Sequence, residues 1–229
     1  MRTIGLLGGM SWESSALYYR LVNEAVRDRL GGFHSARVVL TSVDFAEVES
    51  MQERGDWDGA GSLLAREAQM LQAAGADCVV LCTNTMHKVA DSIETAVDIP
   101  LLHLADVTAA AVRTAGLDRV ALIGTRFTME QPFYVDRLRA HGLDVVVPVE
   151  VDRRRIHDVI YDELVRGVVR EESRSAYVDV IGRLVAQGAR GVILGCTEIE
   201  LLLGPGDVDV PVFATTALHA QAAVDFALG

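Results

Sequence analysis

One phrase of this chain occurs twice. Residues 75–85 read GADCVVLCTNT and residues 188–198 read GARGVILGCTE, and they align without a gap at a spacing of 113 residues. Each copy has Gly-Ala, then a short apolar run of strand type, then a polar turn. In this alignment Cys196 falls opposite Thr83, and Cys82 falls opposite Gly195. Side chains of a strand alternate between its two faces, so a shift of one residue decides which group reaches a given face. A duplicated strand-and-turn of this kind calls for two similar halves.

The duplication extends to two earlier strands. IGLLGG at residues 4–9 and VALIGT at residues 120–125 both run from a strand into a Gly turn, with Gly8 and Gly124 116 positions apart. Strands are expected at 3–7, 37–42, 78–82, 101–103, 119–123, 145–147, 192–195 and 212–213. Helices are expected at 14–30, 59–74, 86–95, 105–115, 133–141, 156–165, 172–187 and 218–228. In the second of these helices Leu63, Leu64, Ala68 and Leu71 mark one apolar face, the stripe of a surface helix packed on a sheet. Strands alternating with helices give an α/β fold with parallel sheets. The expected organisation is two pseudosymmetric α/β domains: residues 1–104 with 212–229, whose last strand and helix pack back on the first half, and residues 105–211.

Composition narrows the function. The chain has 229 residues, half of them hydrophobic and 23% charged, with a net charge of −11. That is enough for one large domain or two small ones with real cores. A surface this acidic is not that of a nucleic-acid binder, since phosphate binding needs basic groups. An anionic substrate would need local donors to hold it against the overall field. No apolar run approaches the roughly 20 residues that span a bilayer, so no membrane partner is expected. The Gly-rich N-terminus reads as a first strand rather than an export signal. Cys78, Cys82 and Cys196 make neither a disulfide framework nor a metal spacing. A cytoplasmic location and no metal site are the expectations.

Ligands of parallel α/β sheets collect at the carboxyl ends of strands. Four turns there stand out: residues 8–11, 83–85, 124–128 and 196–198. Gly8-Gly9 fits neither nucleotide fingerprint and can equally be a tight strand–helix turn. Cys196 follows a buried strand and precedes a helix start, where free N–H groups and the helix dipole favour a thiolate. Thr83, Asn84 and Thr85 offer two hydroxyls and an amide at a helix start, a set that can hold a carboxylate or cap the helix. Cys82 and Cys78 read as core. His87, His103 and His219 read as structural or supporting groups, not as ligands.

At GGMSWES (residues 8–14), CTNTMH (82–87) and GCTE (195–198) the chain resembles the aspartate/glutamate racemase family, and the resemblance covers nearly its whole length. It implies two pseudosymmetric α/β domains with the active site in the cleft between them, a homodimer, and catalysis without pyridoxal phosphate, metal or other cofactor. Family members use two cysteines on opposite faces of the substrate α-carbon. The second matches here as Cys196; the position of the first holds Thr83. The resemblance further implies that Asn84, Thr85 and Thr197 hold the α-carboxylate, with Met10, Thr125 and Thr128 near the substrate. Residues 44–52 contain no Lys or Arg, which leaves Gln52 as the donor for a distal carboxylate. The expected activity is racemisation of aspartate or glutamate by proton transfer between Cys196, Thr83 and the α-carbon. A single-Cys malonate-type decarboxylase and a non-catalytic amino-acid-binding protein are the alternatives.

Overall fold

The short apolar runs become parallel strands. In the computed structural model, which describes residues Met1–Gly229, the elements follow in the order β1 (Ile4–Gly8), α1 (Trp12–Leu30), β2 (Val38–Ser42), α2 (Phe45–Arg54), α3 (Trp57–Ala73), β3 (Cys78–Leu81), a 3-10 turn (Thr85–Val89), α4 (Ala90–Ala96) and α5 (Leu104–Thr114). The second run comprises β4 (Arg119–Gly124), α6 (Arg126–Glu130), α7 (Pro132–Ala140), β5 (Asp144–Val146), α8 (Glu150–Asp162), a 3-10 turn (Leu164–Arg166), α9 (Glu171–Ala186), β6 (Val192–Gly195), α10 (Ile199–Leu202), β7 (Val212–Ala214) and α11 (Thr215–Leu228). Two units result: Met1–Leu104 with His219–Gly229, and Ala105–Leu218.

Each unit holds one parallel sheet, of order β2-β1-β3 in the first and β5-β4-β6-β7 in the second. Register reproduces the sequence repeat. Leu7 pairs with Leu81 in the first sheet and Ile123 with Leu194 in the second. The central strands β1 and β4 are offset by 116 residues, so these pairs make Leu81 the counterpart of Leu194, an offset of 113. Thr83 and Cys196 thus leave their sheets at equivalent positions.

The first sheet is covered on both faces. Ile4, Leu6, Cys78, Val80 and Cys82 pack with Tyr18, Val22 and Val26 of α1 and with Ala220, Ala223, Val224 and Ala227 of α11. Leu7, Val79 and Leu81 point the other way, onto Leu63, Leu64, Ala68 and Leu71 of α3. The period of two is visible within β3 itself, where the cysteines share one face and Val79 and Leu81 the other. In the second unit Ala121, Ile123, Val192, Leu194 and Cys196 pack with Ile156 and Ile160 of α8 and with Tyr177, Val180, Ile181 and Leu184 of α9. Full burial of one such aliphatic side chain contributes about 1.5–3 kcal/mol.

The structure corrects two expectations and places a helix where none was expected. Residues 101–103 form a single bridge, Val79 to Leu101, instead of a strand; α5 begins at Leu104, directly after it. Residues 44–52 are mostly helical, since Asp44 caps α2 by accepting from the Ala46 N–H at 3.1 Å. The strand expected to return to the first half at residue 212 pairs instead with β6, as Val192 with Val212. The chain rejoins the first unit only at His219. No helix is long and apolar enough to cross a membrane.

Candidate active site

In the first unit, pairing of Leu7 with Leu81 sets the turn after β1 beside the turn after β3. Gly9, at φ +89°, takes the left-handed conformation that side chains disfavour, and an added Cβ would strike the Val43 backbone. Its N–H donates to Ser15 Oγ at 2.8 Å, and Ser14 Oγ donates to the Cys82 carbonyl at 2.9 Å, so the start of α1 ties both turns together. The Thr83 N–H donates to the Leu81 carbonyl at 2.8 Å, which ends strand geometry at Leu81.

His87 fixes the far side of this turn. Its Nδ1 lies 2.8 Å from the Thr83 carbonyl and its Nε2 is 3.2 Å from the Leu104 backbone nitrogen. A carbonyl only accepts and an amide only donates, so the ring holds its proton on Nδ1. His219 is held in the opposite tautomer: Nε2 donates to the Leu102 carbonyl at 2.6 Å, and Nδ1 accepts from the Tyr18 hydroxyl at 2.9 Å. Burial pulls the His219 imidazole down to about 4. The His87 ring stacks edge-on with those of His103 and His219, at 4.6 and 5.9 Å between centroids. Both His87 and His219 therefore sit as neutral structural groups behind the Thr83 turn.

In the second unit the close approach of β4 and β6 requires glycine. A Cβ on Gly124 would lie 2.7 Å from the Gly195 carbonyl oxygen, and one on Gly195 would lie 3.2 Å from Thr128 Cγ2. Thr125 caps α6, its hydroxyl accepting from the Thr128 N–H at 3.3 Å and lying 3.2 Å from the Thr128 hydroxyl. Cys196, 7% exposed, directs its thiol at Glu198, donating to Oε2 at 3.0 Å.

This surrounding overturns the expectation of a low thiol pKa. Burial first, and then the charge and hydrogen bond of Glu198, push the Cys196 thiol well above its ordinary value. Backbone hydrogen bonds of Glu198 and Ile199 pull it down without reversing the balance. The helix that follows, Ile199–Leu202, is one turn long and carries little dipole. Nearby Glu200 accepts from the Thr216 N–H at 2.9 Å, and burial raises its carboxyl to about 7. The Tyr177 hydroxyl, which donates to the Ile156 carbonyl at 2.8 Å, is also raised by burial and by the negative charge that Cys196 would carry.

The residues singled out from sequence form two groups. Met10, Gln52, Thr83, Asn84 and Thr85 belong to the first unit, and all are buried there. Gln52 turns its amide to Met86 Sδ at 3.0 Å, and Met10 and Met86 share one apolar cluster. Cys196, Thr125, Thr128 and Thr197 belong to the second unit and are likewise buried. Cys82 has no exposed surface, as the alternation requires, and burial drives its thiol far up; the Cys78 thiol is raised to about 11 by the same cause. Asn84 makes no side-chain cap bond, so simple capping does not account for it. Sequence reasoning passed over Glu198 as a partner of Cys196. The signal for it was a carboxylate two residues beyond a thiol, on a turn where no periodic rule applies.

Comparison with known proteins identifies the fold and the family. Residues 7–223 match the family model for Asp/Glu/hydantoin racemases. A candidate Asp/Glu racemase from Yersinia pestis is 53% identical and superposes with a TM-score of 0.94, each chain covered in full. An aspartate racemase homologue from Pyrococcus horikoshii OT3 is 31% identical with a TM-score of 0.88, again over all of both chains. A broad-specificity amino-acid racemase of Bacillus subtilis (strain 168) is 20% identical over 229 aligned positions, 96% of each chain. With a family model that matches residues 7–223, nearly its whole length, the chain belongs to the Asp/Glu/hydantoin racemase family.

Proposed function

We propose that this protein racemises an acidic amino acid, aspartate or glutamate, with Cys196 and Thr83 serving opposite faces of the α-carbon. The observation that carries this reading is the register: the two residues follow equivalent strands in two sheets whose first three strands share one order. Racemisation needs exactly such a pair of proton carriers, one to remove the α-proton and one to return a proton from the other side. Asn84, Thr85 and Thr197 hold the α-carboxylate in this reading, and Met10, Gln52, Thr125 and Thr128 surround the rest of the substrate. As part of the same reading the enzyme works without pyridoxal phosphate, as a homodimer in the cytoplasm; its three free thiols fit a reducing compartment.

The two carriers are unequal. A threonine hydroxyl is a far weaker acid and base than a thiol. Transfer on the Cys196 face is therefore fast and on the Thr83 face slow, with a water assisting Thr83. The test is α-proton exchange in heavy water for a panel of L- and D-amino acids. One-sided exchange of aspartate or glutamate is the expected result. Equal and fast exchange from both enantiomers overturns the asymmetry, and tight binding with no exchange of any amino acid overturns the racemase reading.

A further inference from the structure

We propose that Arg126, at the carboxyl end of β4, is a specificity-determining residue that holds the distal carboxylate of an acidic amino acid, with the His157 ring as a neighbouring donor. The inference rests on the racemase reading for its substrate, and on geometry for the placement of the two side chains.

A chain of net charge −11 repels an anionic substrate, so a second carboxylate needs a local cation. Within two residues of the carboxyl end of any strand in either sheet, Arg126 is the only Lys or Arg. Gly124 pairs with Gly195, so the turn that carries Arg126 leaves the sheet beside the turn that carries Cys196. Thr125 and Thr128 flank Arg126 on the same turn. Gln52 is a neutral amide turned to Met86 Sδ, and it supplies no charge.

Arg126 is also uncommitted. Most arginines of the second unit pair with an acid, as Arg119 does with Asp144, Arg137 with Asp106 and Arg153 with Glu130. The exposed Arg126 guanidinium has neither an ion-pair nor a hydrogen-bond partner and lies over the Phe127 ring, 5.0 Å from its centroid. A ring contact leaves the N–H fork open to a planar anion, which a carboxylate fits with two parallel hydrogen bonds.

His157 of α8 lies beside it. Its Nδ1 accepts from the Arg126 backbone N–H at 3.5 Å, so the neutral ring carries its proton on Nε2, a donor with no partner within the protein. The ring meets Phe127 edge-on at 6.0 Å between centroids and Tyr161 at 4.6 Å. Burial, and then the Arg126 charge, pull the imidazole below its ordinary value. Of the acids near the ring, Glu130 is held by Arg153 at 2.8 Å, and neither Asp158 nor Asp162 pairs with Arg126.

Arg126→Gln removes the cation from an exposed position and leaves a polar side chain. Racemisation is measured for aspartate and glutamate, and for asparagine and glutamine, which match them in shape without the second charge. Wild type is expected to favour the acids. In the variant kcat/KM for the acids is expected to fall about 10–100-fold, the weight of hydrogen bonds to a charged group. The fall should come through KM, with kcat and the amides unchanged. Arg126→Lys keeps a charge without the fork and is expected to recover part of the loss. His157→Phe keeps the ring and is expected to raise KM for the acids alone. An equal fall for acids and amides, a fall in kcat alone, or no change at all overturns the proposal.

The second measurement needs no turnover. Calorimetric titrations with glutarate and with butyrate compare a dicarboxylate with a monocarboxylate. Wild type is expected to bind glutarate more tightly, and Arg126→Gln to weaken glutarate by about 10–100-fold without affecting butyrate. Glutarate bound by wild type no more tightly than butyrate, or bound equally by wild type and variant, overturns the site. If wild type exchanges no α-proton of any amino acid, the racemase reading fails while this titration still decides Arg126.

Discussion

The two turns that end β3 and β6 share strand order, register and a position just past a buried strand, yet the chemistry behind them is opposite. Behind Thr83 lie imidazoles, with His87 and His219 each locked into one tautomer by backbone partners. Behind Cys196 lie acids: Glu198 on the sulfur, Glu200 raised to about 7, and Tyr177. The first environment is neutral and fixed by backbone partners; the second gathers acidic groups around a buried thiol. A duplicated scaffold preserves where a group sits while leaving free what supplies or receives its proton.

The severest way to break the comparison is Cys196→Ala. It should reduce α-proton exchange on the Cys196 face, and racemisation in both directions, by about 10²–10⁴-fold, the usual weight of a positioned acid or base. Residual exchange near wild type would move the chemistry elsewhere.

Next is the pH dependence of stability, where the two regions should pull in opposite directions. The folded pKa of His219, about 4, lies below its ordinary 6.5. Its contribution is present above 6.5 and is lost as pH falls through 4. Glu200, raised from 4.5 to about 7, contributes fully below 4.5 and loses that contribution as pH rises through 7. Each is worth about 3 kcal/mol at 1.36 kcal/mol per unit, so they largely offset between 4.5 and 6.5. Denaturant titrations of His219→Gln and Glu200→Gln across this range should uncover opposite slopes; slopes of the same sign would dissolve the contrast.

His87→Ala should cost about 2 kcal/mol of unfolding free energy, because it strands the Thr83 carbonyl and the Leu104 N–H together. His87→Gln, able to donate and accept, should recover part of it. Smallest is Thr83→Cys, expected to speed exchange about tenfold on the Thr83 face alone, or about 1.4 kcal/mol. No change on either face would make Thr83 a packing residue.

Much of this was readable in the chain, for a physical reason. Strand side chains alternate with a period of two, so an ungapped repeat fixed Thr83 opposite Cys196 and put Cys82 in the core before any coordinates were known. Helices with clear apolar stripes, such as α3, were legible in the same way. What escaped detection depends on distant partners or on irregular turns. Whether residues 212–214 join the first or second sheet is decided by pairing with β6, which local pattern does not encode. The approach of Glu198 to Cys196 arises on a turn between strand and a one-turn helix, where neither period applies. The thiol was expected to be acidic because of that helix; burial, and then the neighbouring carboxylate, reverse the sign.

The late return of the chain at His219 has a consequence for how the protein is made. The second unit, Ala105–Leu218, is one continuous stretch and can complete itself as soon as it emerges from the ribosome. The first unit cannot. One face of its sheet waits for Ala220, Ala223, Val224 and Ala227, and the Arg2 N–H for the Ala227 carbonyl. The first unit's strands thus precede the second unit in the chain yet are covered after it, and this apolar face stays open until Ala220, Ala223, Val224 and Ala227 arrive.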